Sequence, residues 1–465
     1  MSYRPVFRCI GLILAFCLFV ITCLPAAPSM AYMSVEEERE LGDKLAKELQ
    51  QKLEIIDDPL IKGYVIEIGR RLLKEARDRR FPYRFYVVKE KEPNAFAIPG
   101  GHIFITSGLI RLVAEEDELA GVIGHEIAHS VLRHIAKAME RAKRISLATL
   151  AAIIAGAFLS KDAKGTGALT ASAMAMAQSL MLKYTRENEV EADQKGTMYM
   201  MGAGYDPRAM VTFLKRIYRW QRFTSPNVPT YLSTHPGVDF RITYLSDIFL
   251  SASESPSSHP PPAGDLKKIQ MRLFIEERGA VAGIDYFSSL LRERPGDTDA
   301  LYGLGISYII AGRAKKAIPI LSAALKASPA DGYIIRDLGI AYFRTRQIAR
   351  GLQVLQKALK FFPNDTAVLY YLAQGYQEEG EWDRSLSLYR RVLELDPQKV
   401  EIYYNLGVVY NLRGSAGPAH ENFGLYFKKK GKKDVALFHF RKAWEYYQDR
   451  DKKRQLQELI NECER

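Results

Sequence analysis

With 465 residues, 47% of them hydrophobic and 26% charged, the chain is too apolar for a disordered tail and too polar for a polytopic membrane protein. Its length allows two or more domains. Lys and Arg (66) exceed Asp and Glu (54) for a net charge of +12, but the excess has no aromatic-basic groove or binding motif beside it, so no nucleic-acid partner is expected.

At the N-terminus, Arg4 and Arg8 precede an uncharged apolar run from Cys9 to Leu24, then Pro25 and a small-x-small site at Ser29-Met30-Ala31. This reads as an export signal over residues 1–31, with the acidic stretch beyond it marking the exported side and an uncleaved anchor as the alternative. Three of the four cysteines lie in that segment, which leaves Cys463 alone and excludes an internal disulfide in the remainder.

Residues 34–80 follow as predicted amphipathic helix, Tyr83 to Lys89 as a strand, and Ala95–Ile98 with His102–Thr106 as a strand pair turned by Pro99-Gly100-Gly101. The strand His102–Thr106 reads as an exposed edge that an extended peptide can extend. From Glu116 to Arg144 the pattern is helical again. Two uncharged apolar stretches, 145–159 and 168–182, are each too short for a simple membrane span and read as paired helices beside the site. Ser and Pro dominate 251–264, which sets a linker over 251–263 between a domain at 32–250 and another at 264–465.

The second domain is periodic. Pro295, Pro329, Pro363 and Pro397 are 34 residues apart, and Leu304, Leu338, Leu372 and Leu406 share the step, as do Tyr308, Tyr342, Tyr376 and Tyr410. That is the length of the tetratricopeptide repeat, a helix-turn-helix unit that buries its apolar face only by stacking, so an α-solenoid is expected, with atypical helices over 264–294 and 432–465.

Within the 116–144 helix stands His125-Glu126-Ile127-Ala128-His129. Positions i and i+4 face the same way, so both imidazoles can reach one Zn²⁺, while Glu126 is placed to move a proton from an attacking water to a leaving amine. A third ligand is required. Leu132 and Ile135 occupy the positions where one zinc class would need glycine and histidine, and His134, one place off, reads as an exposed helix residue. Glu187, Glu189, Glu191 and Asp193 offer acids on a second helix, with Glu189 and Asp193 an i, i+4 pair, but spacing alone does not choose among them.

His125-Glu-Ile-Ala-His129, Glu189-Val-Glu-Ala-Asp193, Gly204-Tyr-Asp-Pro207, and His235-Pro236 with Arg241 occur in an order that resembles the zinc metallopeptidase family of the CAAX prenyl protease and the heat-shock membrane protease, most closely its exported, repeat-bearing branch. The resemblance covers nearly all of the chain after the signal. It implies a mainly α protein, an α+β zincin-like peptidase domain followed by the solenoid, with one Zn²⁺ per chain. By the same resemblance Glu189 is the third ligand, Asp193 holds a ligand histidine, and Glu187 and Glu191 are bystanders. His235 would either bond the oxyanion or fill the metal's open position, and Arg241 would anchor a carboxylate or support developing charge, whereas its place on a helix near a domain boundary reads equally as a salt-bridge partner. The expected activity is hydrolysis of unfolded or stalled envelope proteins in the periplasm, with the repeats binding substrate or outer-membrane assembly machinery and peripheral membrane contact as a further partner. The alternative is a repeat scaffold or chaperone whose zinc site is structural or silent.

Overall fold

The structure, a computed structural model, describes residues 33–78, 80–141, 147–148, 151–152, 185–224, 230–251 and 259–464. The expected signal over residues 1–31, nearly all of the apolar stretches 145–159 and 168–182, and 252–258 of the linker lie outside the described residues.

Two helices, α1 (Val35–Lys52) and α2 (Pro59–Ala76), stand where one was expected over residues 34–80. The break follows from Asp58-Pro59. Proline favours the first helical position, where it lacks no needed N–H, and Asp58 caps the new helix by accepting from Leu60 N and Ile61 N. The short connection is used, because Ile55 bridges to Val88 at the sheet.

Strands β1 (Arg84–Val88), β2 (Ala95–Ile98) and β3 (His102–Thr106) form one sheet in the order β1-β3-β2. β3 runs parallel to β1 and antiparallel to β2, and all five of its residues are buried. It is therefore the central strand, not the exposed edge expected from its sequence; its backbone groups are already paired on both sides. The edge beside the site is β2, against which the helix bearing the two histidines packs.

That helix, α4 (Glu116–Val131), follows the short α3 (Ser107–Leu112). It does not continue to residue 144. Arg133 adopts φ 55°, a left-handed conformation unfavourable for a side-chain-bearing residue, and its Nε is held 2.6 Å from the buried Glu38 carboxylate. The chain restarts as α5 (His134–Arg141). Helix α6 (Arg186–Gly202), opened by a Thr185/Asn188 capping box, packs on α4 through facing glycines. A Cβ on Gly196 would stand 3.0 Å from His125 N, so only glycine lets the two backbones come this close. Helices α7 (Ala209–Thr224), α8 (Thr230–Thr234) and α9 (Val238–Ser251) complete this region.

The solenoid begins with the pair α10 (Leu266–Arg278) and α11 (Ala280–Glu293). Helix pairs starting at Thr298, Gly332, Thr366, Glu401 and Lys433 follow, the last closed by Arg450–Glu464, where Cys463 is buried as a free thiol. Each proline of the 34-residue series lies two residues past the end of a second helix, where it blocks continuation. The small residues of the same register seat a neighbour: a Cβ on Gly305, Gly339 or Gly407 would meet Leu321, Leu355 or Phe423 at 2.4 to 2.6 Å.

Helix α10 docks on α2 and α3 and joins the two regions in one continuous apolar core. Gln270 Nε2 donates to the carbonyls of Ile110 (3.0 Å) and Val113 (2.8 Å). Arg272 Nη1 donates to Asp58 Oδ2 at 2.7 Å while Nη2 pairs with Asp337, and Arg336 carries the chain of charges on to Asp337 and Asp365. Among the described residues, no helix is long and apolar enough to cross a membrane.

Candidate metal centre

The one-turn spacing of His125 and His129 turns both Nε2 atoms to a common point, 2.9 Å apart. The close α4–α6 packing carries Glu189 to the same point, its oxygens 3.5 Å from His125 Nε2 and 3.4 Å from His129 Nε2. The turn at Pro236-Gly237, with Gly237 at φ 79°, brings in His235, whose Nδ1 lies 3.1 Å from Glu189 Oε1 and 3.3 Å from His125 Nε2. One donor atom from each of these four residues lies within 4.8 Å of every other, and all four residues are fully buried. Bonds of about 2.0–2.2 Å to a tetrahedral zinc put donor atoms roughly 3.3–3.6 Å apart. The spacing and the nitrogen and carboxylate donor set both fit such an ion.

Glu126 is buried beside the cluster, with Oε1 3.3 Å from His235 Nε2 and neither oxygen in a well-formed hydrogen bond. Burial raises its pKa above the ordinary carboxylate value. Burial works in the same direction on Glu189 but is overcome by the charges of His235 and Arg241, which hold that carboxylate well below the usual range.

Asp193, one turn after Glu189 on α6, accepts from the other face of His125, with Oδ1 2.9 Å from Nδ1. Arg241 grips both acids: Nε and Nη2 reach Asp193 at 2.8 and 2.6 Å, and Nη1 reaches Glu189 Oε2 at 2.6 Å. Nε, Nη1 and Nη2 of Arg241 thus all reach carboxylate oxygens, and Nη2 also lies 3.4 Å from His125 Nδ1. Burial opposes ionisation of Asp193, yet the guanidinium and His125 lower its pKa below the ordinary value.

The structure brings His125, Glu126, His129, Glu189, Asp193, His235 and Arg241 together and leaves Glu187 exposed on the outer face of α6. One expectation changes. His134 is buried, not exposed; its Nδ1 lies 2.9 Å from His129 Nδ1 and its Nε2 3.0 Å from Glu191 Oε2. The Arg133 break turns His134 back under His129, and α6 presents Glu191 to it; no sequence pattern announced that break. Two tyrosines were missed as well. Tyr244 OH donates to Asp193 Oδ2 at 2.6 Å and stands one turn after Arg241 on α9, a spacing that could have flagged it. Tyr231 stacks on His235 with ring centroids 4.6 Å apart.

Residues 59–248 match Peptidase family M48, and 281–332, 308–375 and 376–414 match tetratricopeptide repeats. Among similar proteins, the putative beta-barrel assembly-enhancing protease of Vibrio cholerae serotype O1 is 32% identical over 62% of this chain and 60% of its own length. The beta-barrel assembly-enhancing protease of Escherichia coli K12 is 34% identical over 45% of this chain and 43% of its own, and a mitochondrial metalloendopeptidase of Schizosaccharomyces pombe is 30% identical over 40% and 52%. The chain thus spans 60% or less of the length of these relatives. Among solved structures, YrrB, described as a tetratricopeptide-repeat protein with an unusual peptide-binding site, is 21% identical with a TM-score of 0.33, covering 43% of this chain and 97% of that one.

Proposed function

Since residues 59–248 are a domain of peptidase family M48 and tetratricopeptide repeats follow it, we propose that the chain is a zinc-dependent endopeptidase acting on unfolded or misassembled proteins of a bacterial envelope. The observation that carries this reading is the buried convergence of two imidazoles and a carboxylate on one point, with the buried Glu126 carboxylate beside it.

His125, His129 and Glu189 would hold the metal, and Asp193 and Arg241 keep His125 and Glu189 from turning. A bound zinc supplies Lewis acidity, polarising the scissile carbonyl and making the attacking water more acidic. Glu126 accepts the proton of that water and delivers it to the leaving amine, a transfer its raised pKa favours. An extended substrate would add to β2, the edge facing α4, by main-chain hydrogen bonds that tolerate many sequences. Because Nδ1 of His235 already lies among the donors, substrate entry requires that residue to withdraw, so His235 acts as a gate on α8–α9.

The division at 32–250, 251–263 and 264–465 assigns hydrolysis to the first part and capture of substrate or assembly machinery to the repeats. The relatives' names, which join a protease to β-barrel assembly, support an envelope setting, and the N-terminal segment supports export to the periplasm. One observation favours a second reading. Four protein donors resemble a closed structural zinc site, as a scaffold or chaperone would hold.

Cleavage of an unfolded model protein by the purified full chain at measured zinc content, beside Glu126→Gln, decides between them. Cutting by wild type with a loss of about 10²–10⁴-fold in kcat for the variant at equal zinc supports the peptidase. A zinc-filled wild type that cuts nothing, even when His235 is replaced by Ala, turns the assignment to the scaffold.

A further inference from the structure

The two histidines of α4 are anchored in different ways. His125 Nδ1 meets a carboxylate directly, Asp193 Oδ1 at 2.9 Å. His129 Nδ1 instead meets a third imidazole, His134 Nδ1 at 2.9 Å, and His134 Nε2 meets Glu191 Oε2 at 3.0 Å. The His134 side chain is fully buried, whereas that of Glu191 is 58% exposed. The relay therefore runs from the floor of the metal centre to the protein surface.

Hydrogen-bond polarity along this relay allows one arrangement. An ionised carboxylate can only accept, so His134 carries its proton on Nε2 and presents Nδ1 as an acceptor. His129 must then carry its proton on Nδ1, which leaves the lone pair of Nε2 directed at the cluster, the form a metal ligand needs. On the other side of the ring Glu189 Oε1 lies 3.4 Å from His129 Nε2 and would favour the opposite tautomer, with Nε2 protonated, which the bond from His134 opposes. The left-handed Arg133, tied to Glu38, ends α4 where His134 can turn under His129. An uninterrupted helix would carry His134, five residues on, to a different face.

We infer that His134 and Glu191 are positioning residues for the metal, a two-step outer support through which a surface carboxylate fixes the tautomer and ring plane of a fully buried ligand. The inference rests on the zinc reading above and adds two residues to it. Outer partners of metal-bound histidines change metal affinity by about 10–100-fold when removed.

The test uses the full chain in two states. In the zinc-loaded state, competition with a chelating dye should show Glu191→Ala and His134→Ala binding zinc at least about tenfold more weakly than wild type. Glu191→Gln should stay near wild type, because its amide oxygen accepts the same bond. In the metal-free state, nitrogen-15 shifts of the His129 ring should report Nδ1 protonated in wild type and a mixture of tautomers in Glu191→Ala. Variants that bind zinc within twofold of wild type and keep one tautomer overturn the inference while leaving the zinc reading intact. A wild type that takes up no zinc defeats the zinc reading first, and this inference with it. If His134→Ala does not fold, Glu191→Ala, altered only at an exposed side chain, carries the test alone.

Discussion

Around His125 each buried polar group holds another in place, whereas along the repeats one apolar contact recurs at a 34-residue step. In the metal region, Arg241 serves Asp193 and Glu189 together, and Asp193 in turn serves His125 and Tyr244. In the solenoid, Gly305 seats Leu321, Gly339 seats Leu355 and Gly407 seats Phe423, each pair independent of the others. A network of unlike groups concentrates the effect of a substitution, and a series of like contacts dilutes it. Chemistry at a defined point requires the first arrangement, and an extended binding surface is served by the second.

Three substitutions press on that contrast. The largest effect is expected from Arg241→Leu, which leaves two buried carboxylates without their cation. A loss of about 3–5 kcal/mol, read by urea unfolding of the metal-free chain, and weakened zinc binding should appear together. A small change in either would show that the centre is less interdependent than its bonds indicate. Gly339→Ala comes next: the new methyl would fall 2.6 Å from Leu355, at a cost of about 1–3 kcal/mol in stability. Hydrolysis of a short peptide should stay at the wild-type rate, and a matching loss of activity would tie the two regions more closely than the contrast allows. The smallest effect has the opposite sign. Gly312, Gly380 and Gly414 take positive φ at one register of the repeat, and Arg346 occupies that register at φ 63°. Arg346→Gly should raise the melting temperature, by a gain of about 1 kcal/mol, because the exposed arginine bears a conformation glycine adopts freely.

The same contrast decides what was legible in the sequence. Repetition is visible by counting, so the solenoid and its prolines could be placed from their spacing. The proposed ligands His125 and His129 and the proposed base Glu126 lie within about one helical turn, and are equally plain. Glu189 and Asp193 lie on α6, His235 in the turn before α9 and Arg241 on α9, and the resemblance, not their spacing, singled them out. Where backbone geometry departs from the helix, reading failed. His134 and Glu191 meet only because Arg133 turns left-handed, and β3 was taken for an edge because strand order is set by packing and not by the local pattern of apolar residues. The break before α2 was within reach, since Asp58-Pro59 is a helix-start signal, but the amphipathic periodicity on either side masked it.

Asp58 does more than start a helix. One of its oxygens caps α2 and the other receives Arg272 from the first helix of the solenoid. Removal of the repeats would strip that carboxylate of its cation and uncover the apolar faces of α2 and α3 at one stroke. The peptidase region is thus not a freestanding module to which an adaptor has been appended, and the two should melt in a single cooperative transition. An exchange of this solenoid for another in the course of descent would have had to bring its own arginine to the same place.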